Sequence, residues 1–220
     1  LKRLVQEKLW DKDAGFFMVM PEEGEPLRDI RELWGYLPWL VDLPDPGYEI
    51  AWKQLIDPQG FYAPFGPTFA EQRHTGFTIA YEGHECQWNG PSWPLATSPT
   101  LTALANLLND YDQDVIGKED YFKTLRIYTK CHQLTREDGK VVPWIDENIN
   151  PYTGDWIART RLMAWQKEDP ELFERKGGYE RGKDYNHSSY NDLIITGLVG
   201  LRPRADDVIE VNPLLPENTW

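Results

Sequence analysis

The sequence predicts an all-α fold in which helices pack in layers. Residues 92–111 and 118–134 show the strongest helical patterns. In the first of them, Leu101, Leu104 and Leu108 lie on one face of a helix. The chain has no short-period repeat, and strands do not alternate with helices as they do in a parallel sheet. Helices that bury one face against each other are therefore the simplest arrangement.

The N-terminal part predicts three further helices. Residues 1–10 carry apolar side chains at helical spacing. Residues 29–42 form a second helical pattern, which Gly35 and Pro38 interrupt. Residues 44–57 start with turn-forming Pro, Asp and Gly and continue as a helix.

Residues 58–91 are predicted to be irregular, with a short β-like run at 76–82. A connection of this length inside a compact domain is usually either functional or disordered. Its many aromatic side chains argue against disorder. We therefore expect this segment to contribute to a functional site.

The C-terminal part alternates helices with polar loops. The predicted elements are a helix over 118–134, a loop over 137–154, a helix over 155–169 that Asp155 caps, a charged loop over 174–186, a last helix that ends near Gly200 and a strand within 206–216.

Composition excludes several classes of function. The net charge of −13 argues against a nucleic-acid partner and leaves no basic surface for anionic lipid. No run of about 18 apolar residues predicts a membrane span. The chain has 10 Trp and 11 Tyr, more amphipathic rings than a core needs. Such rings are common in carbohydrate sites, where a sugar packs its C–H face on an indole.

Metal and cofactor sites are not predicted. Cys86 and Cys131 have no CxxC or zinc spacing, and the sequence leaves open whether they form a disulfide or stay free thiols. Glu82, His84 and Glu85 are the best group for a cation, but their spacing matches no known metal motif.

The first candidate constellation is "ECQWNGPSWP", residues 85–94. Gly90 starts a sharp turn that leads into the helix of residues 92–111, Trp88 and Trp93 flank this turn, and Asn89 lies at its tip. One interpretation is a hydrophobic plug that seals the end of the helix. The other is a wall on which a sugar stacks, with an amide that bonds to its hydroxyls.

The second constellation is "PWIDENINPYTGDW", residues 143–156, with adjacent carboxylates at Asp146 and Glu147 beside Trp144. Two adjacent carboxylates repel each other, so a dry site should alter the proton affinity of at least one. A solvated acidic loop is the alternative.

The third constellation is "DYNHSSYND", residues 184–192. His187 next to Ser188 does not predict a serine hydrolase, because the chain has no GxSxG elbow. Capping of a helix by Asn186 or Ser188 is the simpler interpretation, and His187 or Tyr190 could bind a sugar.

These motifs together resemble a known family. "QWNGPSWP" (87–94), "DENINPYTG" (146–154) and "NHSSYNDLIITGL" (186–198) occur in the order seen in the C-terminal catalytic half of glycoside hydrolase family 63. The chain is also similar to the related mannosylglycerate-hydrolase-like and trehalase-like enzymes. "LWDKDAGFF" (9–17) and "RELWGYLPWL" (31–40) extend the resemblance over nearly the whole chain.

The resemblance implies an (α/α)6 toroid, of which residues 1–220 would be the C-terminal part. It implies inverting hydrolysis of a glycosidic bond in an oligosaccharide, with Glu147 as general base. The general acid of such enzymes is an Asp in an upstream segment that this chain does not contain. We expect that acid to lie in a missing N-terminal part of the same domain, with no cofactor and no metal.

The remaining site residues also follow from the resemblance. Trp88, Trp93 and Trp144 would stack sugar, Asn89 and His187 would bond to hydroxyls, Gly90 would shape the turn, and Glu85 is a second candidate carboxylate. Asn89 replaces the usual Arg of the family.

Two other classes of function stay open. A non-catalytic carbohydrate-binding toroid would keep the aromatic walls without the pair of carboxylates. A structural scaffold would bind no sugar. The resemblance suggests the periplasm or secretion, but the sequence itself does not give the localisation.

Overall fold

The computed structural model describes residues 1–22, 24–79, 86–178, 182–185 and 189–217, except for the side chains of residues 160–163. Its α-helices are α1 (Lys2–Leu9), α2 (Lys53–Ile56), α3 (Pro94–Asp110), α4 (Lys118–Lys130), α5 (Ile157–Glu168), α6 (Pro170–Arg175) and α7 (Tyr190–Asp192), which continues as a π-helical segment over Leu193–Leu198. Among the described residues, Leu33–Val41 and Glu49–Trp52 form 3-10 helices.

Within the described ranges, the strands form three separate antiparallel hairpins of two strands each. They pair β1 (Trp10–Asp11) with β2 (Phe16–Phe17), β3 (Gln133–Thr135) with β4 (Val141–Pro143), and β5 (Leu201–Arg202) with β6 (Glu210–Val211). The described part of the chain is thus largely helical with a few short strands, which agrees with the predicted all-α class.

Helix α3 lies at the centre of the core. Its Leu101, Leu104 and Leu107 have no exposed surface, as the helical spacing of leucines in this segment requires. The 3-10 helix Leu33–Val41 packs against α3, and the Asn106 side-chain amide donates hydrogen bonds of 3.1 Å to two of its carbonyl groups. Both strongly predicted helices are confirmed, although α4 ends at Lys130 rather than at residue 134.

The predicted helix over 29–42 is wrong in type and length. A Cβ atom at Gly35 would collide with the Phe16 ring and with the Phe17 carbonyl oxygen. The segment therefore passes very close to strand β2, and Pro38 removes one backbone donor, so it forms a 3-10 helix instead. The helix predicted over 44–57 is also shorter than expected, because only the 3-10 helix Glu49–Trp52 and the short α2 form there.

Residues 58–79 are irregular, as predicted, but they are held by backbone and ion-pair contacts. Leu33 N–H donates to Phe69 O at 2.9 Å, and Phe69 N–H donates to Pro91 O at 3.0 Å. The buried Glu71 carboxylate accepts from the Arg31 guanidinium at 2.6 Å. The described part of the predicted strand, residues 76–79, does not form one, and residues 80–82 lie outside the described residues.

Three C-terminal predictions need correction. Residues 137–154 are not wholly a loop, because β4 pairs with β3 there. Helix α5 begins at Ile157 after Trp156, and Asp155 does not cap it, since its carboxylate accepts from the Thr153 hydroxyl at 2.8 Å. The predicted strand within 206–216 is limited to β6.

Three general predictions can be compared with the described residues. Cys86 and Cys131 are free thiols, which closes the question of a disulfide. None of the described helices is long and apolar enough to cross a membrane. Within the described ranges, no three His, Cys, Asp or Glu side chains are grouped so that they could hold a metal ion.

The burial of α3 predicts where the fold is most sensitive. Leu104→Ala should lower the free energy of unfolding by about 2–5 kcal/mol, because it leaves a cavity in a fully buried position. Leu108 is only partly buried on the same helix, so Leu108→Ala should cost clearly less. Urea unfolding of the two variants measures the difference, and equal losses would contradict a core centred on α3.

Candidate functional site

Two backbone hydrogen bonds join the first two motifs. Ser92 N–H donates to Ile149 O at 3.0 Å, and Ile149 N–H donates back to Ser92 O at 2.9 Å. Ile149 also forms an antiparallel bridge with Trp156. The Trp-rich segment before α3 and the acidic loop before α5 therefore lie side by side, although they are more than fifty residues apart in sequence.

Two glycines allow residues 65–66 to pack closely against both motifs. Gly66 has φ +114°, and a Cβ atom there would collide with Ser92 Oγ. Gly154 has φ +80°, and its Cβ would lie 2.6 Å from the Phe65 ring. Phe65 N–H donates to Pro151 O at 2.9 Å. Since L side chains rarely adopt these backbone angles, glycine is required at both positions.

Trp88 and Trp93 form a parallel stack. Their ring centroids are 3.9 Å apart and the planes differ by 7°. Trp93 has no exposed surface, and its indole N–H donates to Gln87 O at 2.8 Å. Trp88 is partly exposed. Trp93 is therefore a buried hydrophobic plug, as one interpretation of the sequence expected. The ring of Trp88 is the one that a ligand could contact.

Asn89 and Gly90 have different surroundings. The exposed Asn89 side chain donates to Gly76 O at 2.9 Å, so its amide holds the neighbouring loop in this structure. Gly90 is buried, and a Cβ atom there would collide with Thr78 O. Gly90 thus acts through its small size rather than through a polar contact.

Glu147 lies beside the Trp-rich segment. The Cys86 thiol donates a hydrogen bond to the Glu147 carboxylate and accepts one from the Trp88 indole. Burial, followed by the nearby Glu147 charge, raises the pKa of the Cys86 thiol, which keeps it protonated as a donor. Burial and the Glu147 carboxylate likewise raise the pKa of Tyr185. Glu147, Cys86, Trp88 and Tyr185 therefore face one region.

Asp146 is a buried acid rather than part of a solvated loop. It has no exposed surface, and its carboxylate accepts from Glu147 N–H at 2.7 Å and from the Trp144 indole at 3.4 Å. Burial raises its pKa, although these two hydrogen bonds and the Arg159 charge act in the opposite direction. The pKa of Asp146 is thus altered as expected, but the cause is burial and not repulsion between the two adjacent carboxylates.

The segment 182–185 covers Asp146. A Cβ atom at Gly182 would collide with the Asp146 carboxylate, and Asp184 N–H donates to Ile145 O at 2.9 Å. These contacts place the start of the third motif directly over the acidic loop.

Trp144 lies at a separate cavity. It is partly exposed, and the Arg159 guanidinium lies 5.2 Å from the centre of its ring. A cleft of about 780 Å³ runs between the β3–β4 hairpin and the start of α5, and Trp144 lines it together with Phe65 and Arg159. Glu147 and Trp88 do not line this cleft.

Two site predictions fall on residues that are not described. Glu85 and His187 lie outside the described residues, as do Glu82 and His84 of the weak cation group. Tyr190 is described, and its hydroxyl lies 2.6 Å from the Thr129 hydroxyl of α4.

Sequence reasoning missed Cys86 and Tyr185. Both lie within predicted motifs, Cys86 in residues 85–94 and Tyr185 in residues 184–192. Their positions in those motifs were the only signal, because a single thiol and a single phenol have no diagnostic spacing.

The raised pKa of Asp146 predicts a pH dependence of stability. The folded state retains this proton above the ordinary pKa of 3.8, so the free energy of unfolding should fall as pH rises through the window above that value. Asp146→Asn removes this titration and should flatten the decrease. Thermal unfolding between about pH 4 and 7 measures it. An exposed Asp138→Asn variant is the control. Identical pH profiles for all three proteins would contradict the buried position of Asp146.

A known protein family matches most of the chain. Residues 1–188 match the family described as the mannosylglycerate hydrolase MGH1-like glycoside hydrolase domain. A solved structure described as a sialidase superposes with a TM-score of 0.81 at 41% identity, over 100% of this chain and 18% of that one. This chain thus spans less than a fifth of that protein's length.

A second solved structure, an uncharacterized conserved protein from Thermus thermophilus, has a TM-score of 0.50 at 19% identity. The match covers 68% of this chain and 32% of that one, and it concerns the fold alone. No curated protein matches the chain. The match over residues 1–188 shows that the chain belongs to the mannosylglycerate hydrolase MGH1-like glycoside hydrolase family.

Proposed function

We propose that the complete protein hydrolyses a glycosidic bond of an oligosaccharide by an inverting mechanism, with Glu147 as the general base. The observation that carries this proposal is the contact of Cys86 with both the Glu147 carboxylate and the Trp88 indole. It supports a site in which one carboxylate of the pair that an inverting glycosidase uses adjoins a partly exposed aromatic ring on which a sugar can pack.

Each residue then has a defined task. Trp88 stacks on the sugar, and the buried Trp93 supports it from behind. Glu147 takes a proton from the water that attacks the anomeric carbon. Cys86 orients the Glu147 side chain, while Asp146 fixes its backbone by accepting its N–H. Glu147 is thereby held at both ends.

The general acid belongs to another part of the protein in this proposal. In inverting enzymes the two carboxyl groups are about 6.5–9.5 Å apart, which leaves room for the water. Asp146 is a poor candidate, because its oxygens accept from Glu147 N–H and from Trp144. We propose that residues 1–220 are the C-terminal part of an (α/α)6 domain whose N-terminal part supplies the acid.

The substrate class follows from the aromatic site and from the family. Mannosylglycerate is the first compound to test, since the family description names it. Sialosides come next, because the similar solved structure is described as a sialidase. Neutral oligosaccharides complete the set.

Glu147→Gln tests the catalytic role. In the complete protein it should lower kcat by about 10²–10⁴-fold, the usual contribution of a general base, and leave the melting temperature nearly unchanged. Glu119→Gln, an exposed acid on α4, is the matched control and should keep full activity. NMR of the first product should show the inverted anomer. Normal turnover of the Gln variant would remove Glu147 from the mechanism, whereas sugar binding without any hydrolysis by the parent protein would favour a non-catalytic carbohydrate-binding role.

Trp88→Ala tests the sugar-stacking role. The loss of one aromatic contact should raise KM about tenfold, because aromatic stacking contributes about 0.5–1.5 kcal/mol beyond area burial. Trp88→Phe keeps a ring and should lose much less. Steady-state kinetics of the two variants separates the cases, and an unchanged KM for Trp88→Ala would show that this ring does not contact substrate.

A further inference from the structure

We propose that the cleft between the β3–β4 hairpin and the start of α5 is a second carbohydrate site, which holds a sugar residue other than the one at Glu147. This hairpin cleft is bounded by residues 133–138, residues 153–156 and the side chains of Phe65, Trp144 and Arg159. The inference rests on the proposed function, and it assigns a further binding region of the same protein.

The size of the hairpin cleft fits a small ligand. Its volume of about 780 Å³ lies within the range of about 300–1,000 Å³ that is typical of pockets for small molecules. Since neither Glu147 nor Trp88 lines it, the hairpin cleft is separate from the region that those residues face.

The lining favours a polyhydroxylated ligand. The C–H face of a sugar can pack on the partly exposed Phe65 ring and on the exposed part of Trp144, whose ring centre lies 5.2 Å from the Arg159 guanidinium and 5.9 Å from the Lys183 ammonium. Carboxylates and guanidinium groups surround these rings, and both can bond to pairs of neighbouring hydroxyls. The charged lining residues are Arg136, Glu137, Asp138, Asp155 and Arg159. Because acids and bases are mixed, the cleft suits a neutral sugar better than a strongly anionic ligand.

Two hydrogen bonds to Asp146 connect the hairpin cleft to the site at Glu147. The Trp144 indole N–H donates to Asp146 Oδ2 at 3.4 Å, and Asp146 Oδ1 accepts from Glu147 N–H at 2.7 Å. A sugar on Trp144 would therefore contact a ring whose position is coupled to the Glu147 backbone. This sugar is either a further unit of the bound substrate or part of a separate glycan.

The test uses the complete protein with Glu147→Gln, so that ligands are not cleaved. Arg136→Ala with Glu137→Ala removes two exposed side chains from the hairpin side of the cleft. Arg3→Ala with Glu7→Ala removes the exposed Arg–Glu pair of α1, whose charged atoms are 3.7 Å apart, and is the matched control. The probes are mannose, glucose and galactose and their neutral trisaccharides, measured by titration calorimetry.

We expect the cleft variant, but not the control, to lose about tenfold in affinity for at least one trisaccharide, which corresponds to about 1.4 kcal/mol. If the cleft holds a further unit of the substrate, only trisaccharide affinity falls. If it holds a separate glycan, the number of monosaccharides bound falls from two to one. Unchanged binding by the cleft variant, or no binding of any probe, overturns the proposal.

Activity of the parent protein separates this inference from the proposed function. The Arg136→Ala and Glu137→Ala changes are also made with Glu147 intact, and hydrolysis is measured. If the parent protein hydrolyses substrate but the cleft variant binds sugars as tightly as before, only the proposed second site is refuted. Loss of the proposed function would instead appear as absence of hydrolysis in the parent itself.

Discussion

The reciprocal hydrogen bonds between Ser92 and Ile149 are the constraint on which the site depends. They join a segment that enters α3 to a loop that enters α5, and so they convert two distant motifs into one surface. The approach is close enough that Gly66 has to be a glycine. Because both partners are backbone groups, the bridge does not depend on the identity of either side chain.

Burial near these hydrogen bonds gives Asp146 and Glu147 different environments. Asp146 is fully enclosed and has a raised pKa, whereas its neighbour Glu147 is only partly buried and accepts from a thiol. Two adjacent carboxylates thus have different environments, which is a common way to give two acids different tasks. The buried Asp146 accepts the backbone N–H of Glu147, and the partly buried Glu147 is the one that we propose as general base.

The sequence predicted the parts of the fold that depend on local periodicity. Helices α3 and α4 followed from leucine spacing because that pattern persists over several turns. The 3-10 helix Leu33–Val41 was not predictable, since its shape results from contact of Gly35 with strand β2. In the candidate site, Trp88 and Glu147 were predicted from motifs, and both predictions remain to be tested. The burial of Trp93 and the role of Cys86 depend on contacts between residues far apart in sequence, which no local pattern records.

A crystal structure of the complete Glu147→Gln protein with a bound oligosaccharide tests the central claim most directly. The account predicts a sugar ring packed on Trp88, with the amide at position 147 in hydrogen-bond distance of a water near the anomeric carbon. A sugar bound with its cleavable bond remote from both side chains, or an amide at position 147 that faces away from the ligand, would contradict the account.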